Sequence, residues 1–128
     1  MKVLILGEKR KDIEKLVSKL GFRIVEDKPD LVLGYGGDGT MMLAESNFPG
    51  IPKVVLKRDG SVCKKCSLLS NKEVLKKIKN GNYDIEKLWK LKVSVAGKDL
   101  FGMNDIIIHN YSKLSQTPII IAAAPIFE

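Results

Sequence analysis

Leu31-Val32-Leu33-Gly34-Tyr35-Gly36-Gly37-Asp38-Gly39-Thr40 passes from an aliphatic run into a glycine-rich loop. Three consecutive aliphatic residues read as a strand buried on both faces, the habit of parallel sheets. A helix is predicted next, from Thr40 to Asn47, and Pro49, Gly50 and Pro52 close the unit before another apolar strand at Lys53–Leu56. Upstream, Lys2–Leu6 reads as a buried strand ending at Gly7. Arg10–Leu20 reads as an amphipathic helix with Ile13, Leu16, Val17 and Leu20 on one face and Gly21 as its stop. Phe22–Val25 is a short strand, and Asp27-Lys28-Pro29-Asp30 a turn. Downstream, Arg58–Ser67 is a loop, and Ser70 with Glu73 forms a capping box for a helix through Lys79. This strand–helix alternation predicts an α/β fold: a parallel sheet with flanking helices and right-handed crossovers.

After Tyr83 the texture changes. Leu91–Ala96 and Leu100–His109 flank Gly97-Lys98-Asp99 and predict a β-hairpin, and a short apolar tail from Pro118 to Phe127 follows. The expected organisation is an α/β nucleotide-binding domain over 1–90 and a hairpin with an apolar tail over 91–128.

In a parallel sheet the Gly34–Thr40 loop lies at the carboxyl edge, where such folds bind ligands. Glycines at 34, 36, 37 and 39 let the backbone approach a phosphate and turn its N–H groups inward. Gly34, Gly36 and Gly39 also match a dinucleotide fingerprint, but that reading puts the Asp38 carboxylate where the pyrophosphate would sit. No Gly-Lys-Ser/Thr follows, so the loop is not a Walker A P-loop. The chemistry it fits is phosphates held by backbone amides with one carboxylate among them, able to take a hydroxyl proton or bind Mg²⁺. The plainer alternative is an Asp at a helix start with glycines serving a tight turn.

Composition narrows the class. The 128 residues carry 22 Lys and Arg against 15 Asp and Glu, a net charge of +7, with 45% hydrophobic residues. Only Arg10, Arg23 and Arg58 are arginine and aromatics make up 6%, so the pattern is a solvated basic surface rather than a nucleic-acid reader. The positive field would draw in anionic ligands such as nucleotides. The longest apolar stretch is about half a membrane span and no signal-peptide pattern opens the chain, which predicts a cytoplasmic protein without a membrane partner.

Gly36-Gly37-Asp38-Gly39-Thr40 after an apolar strand resembles the motif shared by NAD kinases, diacylglycerol kinases and phosphofructokinases. Gly102-Met103-Asn104-Asp105-Ile106-Ile107-Ile108-His109 resembles the NAD-kinase Asn-Glu/Asp motif and the strand after it, and the spacing between the two motifs is similar to that family's. The resemblance implies that Asp38 activates the adenosine ribose 2′-hydroxyl of NAD toward the γ-phosphate of ATP or polyphosphate, with Mg²⁺ accompanying ATP. It implies that Gly36, Gly37, Gly39 and Thr40 cradle phosphates and that Asn104 and Asp105 hold NAD. A catalytically weak or silent nucleotide-binding relative is the alternative. The resemblance covers Met1 to Asn110; the family's second domain finds only 111–128 as a counterpart, and its small-residue loop after the fourth strand is replaced by Lys57–Leu68. An oligomer, with the apolar tail pairing across a subunit interface, is therefore expected.

Cys63-Lys64-Lys65-Cys66 lies in that replaced loop. Two thiols supply half of a tetrahedral zinc site that two subunits could complete, and the adjacent lysines favour the thiolate; no special role is the default expectation, an intersubunit metal site and a redox pair are the alternatives, and no resident metal is assigned. His109, the only histidine, reads as an ordinary strand residue. Lys9, Arg10, Lys11, Lys57 and Arg58 follow the first and fourth strands at the same sheet edge as Asp38; surface charge is their default reading and triphosphate contact the alternative.

Overall fold

The computed structural model describes residues 1–61, 63 and 66–103, with the backbone of 107–108 and 119–120. The chain divides into two compact units, Met1–Ile85 and Glu86–Glu128. The first contains β1 (Lys2–Leu6), α1 (Lys11–Lys19), β2 (Arg23–Ile24), β3 (Leu31–Gly36), α2 (Asp38–Asn47), β4 (Lys53–Lys57) and α3 (Asn71–Lys79). Its four strands form a parallel sheet in the order β2-β1-β3-β4. The predicted α/β architecture is the one the chain adopts.

Strand periodicity of two divides the core between the sheet's two faces. Val3, Ile5, Leu31, Leu33 and Leu56 pack with Ile13 and Val17 of α1 and with Leu75 and Ile78 of α3. The alternate residues Leu4 and Val32 pack with Ala44 of α2, joined by Leu6, Phe48 and Ile51. Two helices therefore cover one face and one covers the other. Val3, Val17, Val32, Leu33, Leu56 and Leu75 are fully buried.

β3 differs from expectation by running through Gly34 and Gly36 rather than ending at Leu33. Glycine weakens a strand by itself. Here both glycines sit in a ladder with a neighbour on at least one side, Gly34 between Leu6 and Val55 and Gly36 beside Lys57. The ladder carries the strand to the lip of the loop.

α3 begins as its sequence predicts. Ser70 Oγ accepts from the Glu73 amide at 3.3 Å while the Glu73 carboxylate accepts from the Ser70 amide at 2.9 Å. The Ser70 hydroxyl also donates to that carboxylate at 2.6 Å, and these bonds hold the Glu73 carboxyl below its usual range. A depressed folded-state value means support that is present above the unfolded-state value and lost as pH falls through the folded one. Ser70→Ala is expected to cost about 1 kcal/mol in urea denaturation at neutral pH. The gap between the two proteins should narrow once the pH drops below about 4.3, the ordinary glutamate value.

In the second unit β5 (Leu91–Val95) and β6 (Lys98–Gly102) form the predicted antiparallel hairpin, and β7 (Ile107–Ile108) pairs antiparallel with β8 (Ile119–Ile120). The turn was expected at Gly97-Lys98-Asp99; it is instead the two-residue loop Ala96-Gly97, at φ 49° and 75°. A two-residue hairpin loop with both central residues at positive φ matches the twist of the flanking strands, and Gly97 takes that conformation without penalty. Lys98 and Asp99 thereby enter β6, where Asp99 accepts from Ser94 at 2.5 Å and pairs with Lys92 at 2.9 Å. The Ser94 bond and then Lys92 hold the Asp99 carboxyl below its usual range. Among the described residues no helix is long and apolar enough to cross a membrane.

Candidate functional site

Because β1, β3 and β4 run parallel, Gly7, Gly37 and Arg58 follow their strands at one edge of the sheet. Gly7 has φ +139°, and a Cβ there would be driven into the Tyr35 carbonyl oxygen. No other residue lets the β1 exit run this close to β3. Gly34 and Gly36 have a packing reason of the same kind: a Cβ on Gly34 would touch Thr40 Cγ2 at 3.4 Å, and one on Gly36 would collide with Thr40 Oγ1. The missing side chains let the first turn of α2 settle directly onto β3.

Gly39 is different, for a Cβ there meets nothing within 4 Å. Gly7→Ala is accordingly expected to lower stability by about 1–3 kcal/mol, as backbone overpacking does. Gly39→Ala should stay within about 0.5 kcal/mol of the parent, since nothing in the fold needs that space. Thermal and urea unfolding of the two variants separate these cases.

Gly37 is the N-cap of α2, extended at φ −137° and ψ −160°, and its side-chain-free position makes no capping bond. The Thr40 and Met41 amides donate to the Gly37 carbonyl at 3.0 and 3.3 Å. The Asp38 and Gly39 amides stand in the same first turn of α2. Together with the partial positive charge of a helix start, they form a place suited to a phosphate oxygen. Asp38 is the first residue of the helix and partly exposed, so a carboxylate sits within this amide cluster.

The loop after β4 braces the site. The Arg58 amide donates to the Gly36 carbonyl at 3.4 Å, and the Ser61 hydroxyl lies 2.7 Å from both the Gly36 and the Arg58 carbonyl oxygens. The Asn71 side chain bonds the backbone of Lys57 twice, accepting from its amide at 3.0 Å and donating to its carbonyl at 2.8 Å. It pins the start of α3 to the end of β4. Across the edge, the Arg58 guanidinium lies 3.6 Å from the Glu8 carboxylate. Arg10 turns instead toward its own helix and β2, pairing with Glu14 at 3.5 Å and Glu26 at 3.4 Å. Burial, reinforced by the Asp12 and Asp59 carboxylates and opposed by Arg58, pushes the Tyr35 phenol above its ordinary value. That phenol stays protonated across the physiological range.

Ser61 and Asn71 did not stand out in the sequence, because each acts through a partner at least fourteen residues away. Asp38, Gly36, Gly37, Gly39 and Thr40 all lie at the β3–α2 junction. Asn104, Asp105 and His109 lie outside the described residues. Cys63 and Cys66 are joined in a disulfide with Cα atoms 5.4 Å apart, so neither offers a thiolate to a metal in this state. Among the described residues no group of three or more His, Cys, Asp or Glu is arranged to hold a metal ion.

No family model matches the chain. Among curated proteins, the NAD kinase of Sulfurisphaera tokodaii is 32% identical over 103 residues, covering 77% of this chain and 39% of that protein. The NAD kinases of two Saccharolobus islandicus strains are each 29% identical over 94 residues, covering 73% of this chain and 37% of each relative. The chain therefore spans under two fifths of the length of these curated relatives.

Proposed function

We infer that this chain, homologous to the NAD kinase family over 73–77% of its length, transfers the γ-phosphate of ATP or polyphosphate to the adenosine ribose 2′-hydroxyl of NAD, giving NADP. The observation that carries the reading is the β3–α2 junction, where the Asp38 carboxylate and the first-turn amides of α2 share one small region. In this reading the amides of Gly37, Asp38 and Gly39 hold phosphate oxygens. Asp38 takes the proton from the 2′-hydroxyl as its oxygen attacks the γ-phosphorus, and the nucleoside diphosphate leaves with the electrons of the broken P–O bond. Asn104 and Asp105 hold NAD, as their match to the family motif implies. Mg²⁺ would arrive with ATP, needing only one or two carboxylates beside phosphate oxygens and water, and Asp38 is the carboxylate that the loop offers. The ion would neutralise charge developing on the phosphates.

A second reading has one observation in its favour, the segment Lys57–Leu68, which departs from the family's small-residue loop after the fourth strand. It keeps nucleotide binding and drops efficient catalysis. Incubating the full chain with NAD, Mg²⁺ and either ATP or polyphosphate, and measuring NADP, decides between them. Product formation supports the kinase. A folded protein that binds ATP and yields no NADP leaves the binding relative.

A further inference from the structure

We propose that Arg58 is a phosphate-binding residue that Glu8 holds in the free protein, and that an arriving phosphate takes the guanidinium from the Glu8 carboxylate. The proposal rests on the reading of the β3–α2 junction as a phosphate site. β1, β3 and β4 are neighbours in the sheet, with β3 in the middle. Glu8 lies just beyond the end of β1 and Arg58 just beyond the end of β4. Adjacent strands stand about 4.8 Å apart, so the outer two are separated by about 10 Å at this edge. An ion pair that closes to 3.6 Å between them therefore reaches across the carboxyl end of β3, where the Gly36–Thr40 loop leaves the sheet.

Two further observations place Arg58 at this strand end. Its backbone amide donates to the Gly36 carbonyl at 3.4 Å, which attaches the residue to the strand that carries the loop. Its charge opposes the effect of the Asp12 and Asp59 carboxylates on the Tyr35 phenol, so the guanidinium acts on β3 itself. The other two arginines are directed elsewhere. Arg23 opens β2 at the opposite edge of the sheet, and Arg10 pairs with Glu14 and Glu26.

The two partners of the pair differ in exposure. The Glu8 side chain is 91% exposed and the Arg58 side chain 31%. A carboxylate so fully hydrated gains little from its partner, and releasing it costs correspondingly little. A phosphate offers the guanidinium fork two oxygens in matching geometry and, within a triphosphate, further negative charge. The fork therefore exchanges a weak carboxylate partner for a stronger anion at the same strand end. Asp38 stands in the first turn of α2, and Asp12 and Asp59 act on Tyr35, so an anion arriving here meets carboxylates that the guanidinium offsets.

The test is calorimetry of the full chain with Mg-ATP and, separately, with inorganic tripolyphosphate. The parent is compared with Glu8→Gln, Arg58→Gln, Arg58→Lys and the Glu8→Gln/Arg58→Gln double variant, and thermal unfolding of each reads the fold. The expected result is affinity weaker by about tenfold or more in Arg58→Gln and partly recovered in Arg58→Lys. Glu8→Gln should bind about two- to fivefold tighter. That gain should vanish in the Arg58→Gln background, because it comes from freeing the guanidinium. Parent-level affinity in Arg58→Gln overturns the proposal, as does a Glu8→Gln variant that binds no tighter. An equal gain in both backgrounds overturns it too, since simple repulsion by Glu8 would act without Arg58. If the variants shift tripolyphosphate binding as expected while no form binds Mg-ATP, the exchange stands and the nucleotide reading fails. If Mg-ATP binds alike in all of them, the nucleotide reading stands and the exchange fails. A parent that binds neither anion overturns both.

Discussion

Asp38→Asn is expected to lower NADP formation by about 10²–10⁴-fold while ATP still binds. The substitution keeps the size and the helix-start position of the side chain, so the β3–α2 junction should be undisturbed. In the proposed reaction, what is lost is the basic oxygen that would accept the ribose proton. If the triphosphate binds as proposed, removing a carboxylate from beside it also removes a repulsion, so ATP affinity should hold or rise slightly. The loss of a negative charge from the first turn of α2 costs about 0.3–1 kcal/mol of helix stability, which a denaturation curve will register without confusing it with unfolding. A variant that makes NADP at the parent's rate assigns the base elsewhere. One that loses ATP binding with its activity makes Asp38 part of the binding surface instead.

Lys53→Met should destabilise the fold by about 3–5 kcal/mol, because it breaks an ion pair that water scarcely reaches. Lys53 stands on β4 with its side chain 7% exposed, and its ammonium lies 2.5 Å from the Glu45 carboxylate, itself 14% exposed. It also donates to the Phe48 carbonyl at 2.6 Å and the Ile51 carbonyl at 2.5 Å. Glu45 further accepts from the Gly50 amide at 3.4 Å. One lysine thus closes the C-terminal end of α2 and the Pro49–Pro52 connection, and joins both to the sheet. Methionine fills the volume but takes the ammonium away from the Glu45 carboxylate and from the Phe48 and Ile51 carbonyls. Urea unfolding of Lys53→Met, Glu45→Gln and the double variant gives the coupling directly. The double variant should lose well under the sum of the two single losses, and a single-variant loss below about 1 kcal/mol would show the pair to be solvated.

The two effects bear on different links. Asp38 stands on a helix that rests on β3 through Gly34, Gly36 and Thr40, so its position depends on packing at one end of α2. Lys53 secures the other end of the same helix. If both predictions hold, a destabilised Lys53 variant should also lose activity in step with the fraction unfolded, whereas Asp38→Asn loses it while folded.

Much of this arrangement is legible in the order of residues because its causes are local. Aliphatic runs at Lys2–Leu6 and Leu31–Leu33 fall where β1 and the core of β3 lie, since burial on both faces needs no alternation. The 3.6-residue spacing of Ile13, Leu16, Val17 and Leu20 marks the α1 face, and Ser70 with Glu73 specifies the start of α3 within four residues of chain. Asp38 among glycines at a strand–helix junction is readable for the same reason: strand, loop and helix are contiguous.

The tertiary structure decided what depends on partners far along the chain. The strand order β2-β1-β3-β4, the extension of β3 through two glycines, and the packing need for Gly7 and Gly36 exist only once neighbouring strands and α2 are in place. Ser61 meets Gly36 across 25 residues and Asn71 meets Lys57 across 14. The lysine that reads as a strand's polar first residue becomes the closure of a helix because the sheet brings β4 beneath the end of α2. Local propensity sets which element a segment forms. The groups that a serine, an asparagine or a lysine will satisfy are set by which backbone atoms the fold leaves unpaired beside it.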